Sequence, residues 1–200
     1  MSDIKEPARS DGEKTSARKE VYDWLQCIVA ALLVCVLVFV FIARLIGVVG
    51  SSMYPTLKNG DRLIISKLFY TPQVGDIVVL RKESFKDEPI VKRIIATEGQ
   101  TVEFDFDKGV VYVDGVELEE DYINAPTYES LDITEPVTVP DGCVFVMGDN
   151  RNASTDSRDS RIGCVDTRYI MGRAIFLIIP GVDDVTGKRE WSRVGIIKHG

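Results

Sequence analysis

The chain carries one long uncharged run near its start. From Trp24 to Ala43 it reads WLQCIVAALLVCVLVFVFIA without a charged side chain. About twenty apolar residues is the length that an α-helix needs to cross a bilayer. Asp23 and Arg44 bracket the run, and an aromatic residue lies at its start, as is typical of a membrane interface. The pattern predicts one transmembrane anchor over residues 24–43.

A cleaved signal peptide is the alternative interpretation of this run. Its apolar core would be shorter, about 7 to 15 residues, and would end at an A-x-A-like pattern of small residues. The exit ARLIGVVGSS lacks that pattern, which favours a retained anchor. Lys and Arg are concentrated before the run, so the positive-inside rule predicts a cytoplasmic N-terminus. Residues 1–23 are then a disordered cytoplasmic tail, and residues 44–200 lie outside.

Beyond residue 60 the hydrophobic pattern changes to short β-branched runs separated by turn signals. The runs RLIIS, DIVVL, VKRIIA, VVYVDG, VTVPDG, CVFVMGDN and AIFLIIP follow in order. The pairs Asn59-Gly60, Asp114-Gly115 and Asp141-Gly142 are typical of tight turns. The pattern predicts a mainly β domain after the single helix, folded as a barrel or as packed antiparallel sheets.

Two segments of this domain interrupt the strand pattern. The acidic stretch of residues 119–136 is expected to form a long excursion between strands. The last part of the chain, residues 181–200, is expected to be a loose end that Trp191 helps to hold.

Composition argues against several kinds of site. The net charge of -7 provides no basic footprint for nucleic acid. The one histidine, His199, lies next to the last residue, where chains usually fray, which argues against a Ser-His-Asp triad and a histidine metal site. Cys143 and Cys164 show no CxxC spacing; small buried hydrophobic side chains are the favoured interpretation, and a disulfide is the alternative. No metal and no cofactor are expected.

A serine hydroxyl becomes a nucleophile only beside a base, and a lysine is a candidate base here. Ser52 lies in GSSMYPTL shortly after the anchor, and Lys92 lies in EPIVKRIIA. Such a lysine must be buried, because its pKa has to fall from about 10.4 toward neutral pH. Strand alternation places Lys92 on one face with Ile90 and Ile94 and points Arg93 the other way. On these residues alone, an exposed strand lysine and an ordinary turn serine are the alternatives.

A third motif, GDNRNASTDSRDS over residues 148–160, follows the apolar strand CVFVM. The segments GSSMYPTL, IVKRIIA and GDNRNASTDSR, in this order after one anchor, resemble bacterial type I signal peptidases. These are membrane-bound serine proteases with a Ser-Lys dyad. The resemblance extends from the anchor to about Pro180. Related self-cleaving repressors share a serine-lysine β-fold but are cytosolic and lack an anchor. The family's endoplasmic-reticulum branch has a histidine where this chain has Lys92.

The resemblance implies a role for each motif residue. Ser52 matches the nucleophile, Lys92 the general base, and Ser154 the serine that orients the lysine. The Ser52 N–H would donate to the oxyanion. Gly50 stands where some members have a serine hydroxyl as a second donor, and Ala153 and ATEGQ (residues 96–100) are further departures. The remaining matches imply structural residues beside the site: Gly50, Met53, Asp149, Asp156 and Arg158. Asp156 and Arg158 are expected to form an ion pair.

The resemblance also implies a substrate and partners. It implies cleavage of signal peptides from exported preproteins after small residues, with the peptide bound as an added β-strand. Membrane lipid and a functional link to the secretion translocase are the other expected partners, and nucleic acid is not. An anchored peptide-binding domain without activity and a protease dedicated to a narrow set of clients are the alternatives.

Overall fold

The computed structural model of the chain describes residues 11–41, 43–81, 88–183 and 186–199. It divides into two units, residues 1–42 and 43–200, and each is treated separately. The described part of the first unit is one helix, α1 (Asp11–Phe41). The stretch Lys19–Leu37 of this helix is long and apolar enough to cross a membrane, by length and composition. This agrees with the helix predicted from the sequence.

The helix begins earlier than the sequence pattern indicated. Residues 11–23 belong to α1, although they were expected to lie in a disordered tail. The segment GEKTSARKE is rich in Ala, Glu, Lys and Arg, which are good helix formers. Extending an existing helix is much easier than nucleating one, so a helix formed by the apolar run can extend through this segment toward the N-terminus. Residues 1–10 of the expected tail lie outside the described residues.

The second unit is mainly antiparallel β-structure, as predicted. Its strands are β1 (Arg44–Gly47), β2 (Arg62–Ser66), β3 (Ile77–Leu80), β4 (Ile90–Thr97), β5 (Thr101–Asp105), β6 (Val110–Val113), β7 (Val116–Glu117), β8 (Val137–Thr138), β9 (Cys143–Met147), β10 (Val165–Asp166), β11 (Ile170–Ile179) and β12 (Gly195–Ile196). Three short 3-10 helices complete the described elements: Arg151–Ala153, Thr167–Tyr169 and Trp191–Arg193.

The strands form two antiparallel sheets. The larger sheet has the order β1-β2-β11-β3-β4-β9-β10, and β12 pairs with β11. The smaller has the order β7-β6-β5-β8. Register shifts interrupt the pairing of β11 with β2 and β3 and of β4 with β9. Such bulges bend and twist a strand, which suits a curled sheet rather than a flat one.

The centre of the larger sheet is covered on both faces. In β3, Ile77 and Val79 belong to one hydrophobic cluster, whereas Val78 and Leu80 belong to another. All four side chains are fully buried. A strand with two buried faces reads as a continuous apolar run, which is why IVVL shows no alternation. Strand β4 pairs with β3, so a polar side chain on either face of β4 is also shielded from water.

Two local predictions are confirmed between β6 and β8. Asp114 and Gly115 both have positive φ, 52° and 76°, in the tight turn that joins β6 to β7. Two consecutive residues with positive φ are the signature of the hairpin turn that Asp-Gly favours. The acidic stretch of residues 119–136 contains no strand or helix and lies between β7 and β8.

Residues 186–199 are not loose, which corrects the expectation for this part of residues 181–200. Strand β12 pairs with β11, and Ile197 is buried in the core. Arg193 forms an ion pair with the buried Asp61 at 2.7 Å. His199 accepts a hydrogen bond from the Ile77 N–H at 3.3 Å through Nδ1. Trp191 is 62% exposed and is not the contact that holds this segment.

Cys143 and Cys164 are half-buried and pack against the hydrophobic cluster around Phe145. No disulfide joins these two described residues. The structure agrees with the favoured interpretation of the sequence, that they act as small apolar side chains.

Candidate active site

Three segments bring the predicted residues together. Ser52 lies in the turn after β1, Lys92 lies in β4, and the loop of residues 148–158 follows β9. The Lys92 amine donates a hydrogen bond to the Ser52 hydroxyl oxygen, with 2.7 Å between Nζ and Oγ. Lys92 is only 3% exposed, so the alternative of an ordinary surface lysine is wrong.

The fold of β4 explains why this lysine is buried. Strand β4 lies between β3 and β9, and Lys92 is the register partner of Val78. Val78 and Ile94 belong to the cluster on that face of the sheet. The pKa of Lys92 falls from 10.5 to about 8, mainly because burial disfavours the charged amine. The negative charges of Asp156 and Asp149 partly oppose this shift, and the positive charge of Arg158 adds to it. An amine with this pKa is partly neutral near pH 8 and can accept a proton.

Arg93 points to the opposite face from Lys92 but is also buried. Its side chain forms a two-point ion pair with Asp149, with Nε–Oδ1 at 2.8 Å and Nη2–Oδ2 at 2.7 Å. The guanidinium lies over the ring of Tyr122, with 3.9 Å between Arg93 Cζ and the ring centre. Thr56 donates to the same carboxylate at 2.5 Å. Asp149 thus joins β4 to the turn that carries the nucleophile.

Asp156 and Arg158 form the ion pair that the family resemblance implied. Arg158 Nε and Nη2 each lie 2.9 Å from a different Asp156 oxygen, and both side chains are fully buried. Asp156 also accepts from the Gly148 N–H at 3.0 Å. Arg158 donates to the carbonyls of Arg151 and Glu129, each at 2.6 Å. The pair therefore holds the loop in shape from inside.

Ser154 lies at the site without the expected contact. Its buried hydroxyl finds no hydrogen-bond partner among the residues that the structure describes, Lys92 included. Gly148 lies against it: a Cβ there would stand 2.2 Å from Ser154 Oγ and 2.4 Å from the Ser52 carbonyl oxygen. Glycine is therefore required at position 148 for this close approach. The feature of the sequence that could have indicated this close approach is a glycine, Gly148, directly after the buried strand β9.

Gly50 and Met53 lie on either side of the nucleophile, as expected from the motif. Gly50 has a φ of 91°, and its N–H donates to Asn59 Oδ1 at 3.0 Å. Met53 is buried in the cluster with Val48 and Val91. These contacts fix the backbone before and after Ser52.

Sequence analysis missed several residues that position the site. Asn150 lies in the third motif but was given no role, and it contacts the backbone on both sides of the nucleophile. Its N–H donates to the Ser52 carbonyl at 3.0 Å, and its Nδ2 donates to the Ser51 carbonyl at 3.2 Å. Thr56 and Tyr122 were also missed. Their positions depend on contacts between distant segments, which local patterns do not encode.

This arrangement can activate a serine without a histidine. His199 contacts β3 through Ile77 and lies 3.5 Å from Asp76, so its ring is used in a structural contact. The buried amine of Lys92 is the basic group that the structure places on Ser52. A serine hydroxyl with such a base is the starting point of nucleophilic hydrolysis.

Comparison with known proteins places the chain in a family. Residues 21–179 match the family model described as signal peptidase, peptidase S26. The probable signal peptidase I-1 of Synechocystis sp. is 40% identical over 84% of this chain and 84% of its own. Signal peptidase I T of Bacillus subtilis is 36% identical over 88% of this chain and 95% of its own. A crystal structure of a signal peptidase I from Enterococcus faecalis is 31% identical, covers 52% of this chain and 97% of its own, and has a TM-score of 0.43.

The chain is therefore a serine peptidase, a hydrolase of peptide bonds. More narrowly, it belongs to the signal peptidase family, peptidase S26.

Proposed function

We propose that this protein is a membrane-anchored endopeptidase that removes N-terminal signal peptides from exported preproteins, with Ser52 and Lys92 as its catalytic dyad. The observation that carries the dyad is the 2.7 Å contact between Lys92 Nζ and Ser52 Oγ at a lysine whose burial lowers its pKa to about 8. The signal-peptide substrate is supported by the relatives, which are signal peptidases by name.

The mechanism follows from this geometry. Neutral Lys92 accepts the Ser52 proton while Oγ attacks the scissile carbonyl carbon. The Ser52 N–H donates to the oxyanion of the tetrahedral intermediate. Protonated Lys92 then gives its proton to the leaving amine, and an acyl-enzyme forms on Ser52. Water, deprotonated by Lys92, hydrolyses this ester and restores the serine.

The substrate preference is for small residues at the first and third positions before the cut, with the peptide paired as an added strand. Backbone pairing would provide affinity, and shallow pockets would provide selectivity. The proposal rests on the family resemblance of the three motifs around Ser52, Lys92 and Ser154. A protease dedicated to a narrow set of clients would show the same dyad and differ in the range of preproteins cleaved.

The proposed location is the outer side of the membrane, with α1 as anchor, a cytoplasmic N-terminus and a functional link to the secretion translocase. The concentration of Lys and Arg before the apolar run supports this orientation.

Membrane lipid is the second proposed partner, supported by an apolar row across the outer face of the larger sheet. Leu45 pairs with Ile64, Ile64 with Phe176, and Phe176 with Ile196, so all four side chains share one face. Leu45 is 54% and Ile196 78% exposed. If lipid binds this row, phospholipid vesicles should accelerate cleavage by the wild-type protein, and Ile196→Asp should reduce that acceleration. Equal acceleration of both proteins would remove this support.

Cleavage of a preprotein by the purified protein, followed by N-terminal sequencing of the product, tests the proposed function. The product should begin directly after an A-x-A-like site. Ser52→Ala and Lys92→Ala should each lower the rate by at least about 1000-fold. The exposed residues Ser192 and Lys108 provide matched controls, because Ser192→Ala and Lys108→Ala should cleave at the normal rate. A folded protein that binds the peptide and never cuts it would favour the alternative of a binding domain.

A further inference from the structure

Asn150 holds the backbone on both sides of the nucleophile. Its N–H donates to the carbonyl of Ser52 at 3.0 Å. Its side-chain Nδ2 donates to the carbonyl of Ser51 at 3.2 Å. The Ser51 carbonyl also accepts from the Tyr54 N–H at 3.0 Å, which closes the local turn. A single residue of the 148–158 loop therefore restrains two consecutive peptide groups of another segment.

The contact with Ser51 has a consequence for Ser52. The carbonyl of Ser51 and the N–H of Ser52 belong to one planar trans peptide group, in which they point in opposite directions. Fixing the direction of the carbonyl therefore fixes the direction of the N–H. That N–H is the donor that the proposed mechanism directs at the oxyanion. Donors of this kind are effective because they are oriented before the reaction begins.

Asn150 is itself held in place. It follows Asp149, whose carboxylate is buried in the ion pair with Arg93 at 2.7 Å. Its Oδ1 accepts from Asn124 Nδ2 across a long 3.4 Å contact, and the Asn124 N–H donates to the Asp149 carbonyl at 3.0 Å. With Oδ1 facing a donor, Nδ2 is the side-chain atom turned toward Ser51. The amide can therefore act as a fixed support.

We propose that Asn150 is a positioning residue for the oxyanion hole: through its hydrogen bond to the Ser51 carbonyl, it orients the Ser52 N–H toward the reacting carbonyl oxygen. This rests on the proposed function, since it assigns Asn150 to the same acyl-transfer step. Its side chain does not touch the substrate. It acts through the peptide group that joins Ser51 to Ser52.

Two substitutions change the support in different ways. Asn150→Ala removes the Nδ2 donor but leaves the turn bond from Tyr54. Asn150→Asp keeps the shape of the side chain and places a carboxylate oxygen against the Ser51 carbonyl, where two acceptors repel each other. We expect kcat to fall about 10- to 100-fold in Asn150→Ala and further in Asn150→Asp, because loss of an oxyanion donor itself lowers kcat by about 100- to 1000-fold. KM should change less than about twofold.

The matched control is Asn152, an amide two residues further along the same loop. Its Oδ1 accepts from the N–H groups of Tyr128 and Glu129, and its Nδ2 donates to the Pro126 carbonyl at 2.9 Å. These contacts hold the acidic excursion and do not reach the turn that carries Ser52. Asn152→Ala removes an amide from the loop without removing a contact to Ser51.

The test compares kcat/KM with the affinity for a peptide aldehyde that ends in Ala-x-alaninal. Ser52 Oγ adds to the aldehyde carbon while Lys92 takes the serine proton, and the C=O π bond breaks. The former aldehyde oxygen, now the oxyanion or hydroxyl of the hemiacetal, occupies the position of the oxyanion of the tetrahedral intermediate. Across wild type, Asn150→Ala and Asn150→Asp, the aldehyde affinity should fall in proportion to kcat/KM. The acidic limb of the pH profile should stay in place, because Lys92 keeps its surroundings. Asn152→Ala should retain both affinity and rate, and the melting temperature of each variant establishes that it is folded.

Three results would overturn the inference while leaving the dyad intact. The first is normal aldehyde affinity in both folded Asn150 variants. The second is an equal loss of affinity in Asn152→Ala, which would indicate a general disturbance of the loop. The third is a displaced acidic limb in the Asn150 variants, which would indicate an effect on Lys92. Failure of the proposed function is distinguishable, because wild type would then leave preprotein uncut, or Ser52→Ala would cleave preprotein and bind the aldehyde as well as wild type does.

Discussion

Lys92 is buried although a lysine amine normally holds its proton at neutral pH. The fall of its pKa from 10.5 to about 8 means that the folded protein disfavours the ammonium form. A displacement of that size corresponds to about 3 kcal/mol. Below pH 8 both the folded and the unfolded chain carry the charge, so the full penalty opposes folding. Between pH 8 and 10.5 the unfolded chain binds more protons, and stability from this residue rises with pH.

Replacing Lys92 by Met should therefore stabilise the protein while removing its activity. Methionine fills a similar volume without a charge, so the free energy of unfolding at pH 7 should increase by up to about 3 kcal/mol. The gain should shrink as the pH rises from 8 to 10.5, because the wild-type amine then loses its proton. Urea unfolding of both proteins at pH 7, 8, 9 and 10 measures the difference. A gain that does not depend on pH would contradict the assigned cause.

Individual residues differ in how far the sequence could predict them. The pairing of Ser52 with Lys92 and of Asp156 with Arg158 followed from the motifs. The missing hydrogen bond of Ser154 and the burial of Arg93 did not. Both depend on how the 148–158 loop and Tyr122 pack against β4, and strand alternation describes only the two faces of one strand. It cannot show that another segment covers the second face.

The loop of residues 148–158 is the element that organises the site. Its buried Arg151 and Arg158 donate hydrogen bonds to Thr127 and to the Glu129 carbonyl of the acidic excursion, residues 119–136. Arg151 also forms an ion pair with Glu120 at 2.5 Å. The loop is thus fixed on one side by the excursion and on the other by the backbone of Ser52. We expect its internal ion pair to support both stability and activity.

Asp156→Ala should lower stability and activity together. The substitution leaves the buried guanidinium of Arg158 without its carboxylate, and breaking a buried pair in this way destabilises by about 3–5 kcal/mol. Asp166→Ala is the matched control: Asp166 pairs with Arg168 at the same two-residue spacing, 2.7 Å apart, but Arg168 is 87% exposed. An exposed pair is screened by water and contributes little to stability, so Asp166→Ala should destabilise the protein much less. Thermal unfolding and preprotein cleavage measure both effects.

Normal stability of Asp156→Ala with complete loss of cleavage would contradict this account. It would make Asp156 a direct participant in the reaction. Equal destabilisation by Asp156→Ala and Asp166→Ala would show that burial of the first pair contributes nothing.

The structure of the C-terminal segment could not be predicted from the sequence. Short strands such as β12 carry no periodicity, and Arg193 gave no sign that it would pair with Asp61 across more than a hundred residues of chain. Tertiary contacts hold such segments, and their partners are invisible in a local window. The excursion was predicted because its acidic residues and prolines exclude a regular strand.

For the whole molecule, the sequence indicated the class of fold and the one candidate membrane helix found among the described residues. The alternation of β-branched runs predicted a mainly β unit, and the length of the uncharged run predicted one candidate span. The order β1-β2-β11-β3-β4-β9-β10 could not be predicted. In this order β11, which begins at residue 170, lies between β2 and β3, which begin at residues 62 and 77. Such long-range pairings depend on the packing of the entire core.

The proposed orientation makes a prediction for the intact cell. If residues 44–200 lie outside, protease added to spheroplasts should degrade them while a tag on the N-terminus stays protected. The physical reason is the excess of Lys and Arg before the apolar run, which resists transfer across the membrane. Immunoblots with antibodies to the tag and to the β unit measure both ends. Protection of the β unit until the membrane is broken would contradict this orientation.

The most direct test of the central claim, that Lys92 is the base for Ser52, is the pH dependence of kcat/KM for a peptide with an Ala-x-Ala cleavage site. Only the neutral amine accepts the Ser52 proton, so the rate should fall about tenfold for each pH unit below its pKa. The account predicts an acidic limb near pH 8, where burial places that pKa, and a plateau above it. A limb near pH 4, or a rate that stays constant down to pH 5, would contradict the account.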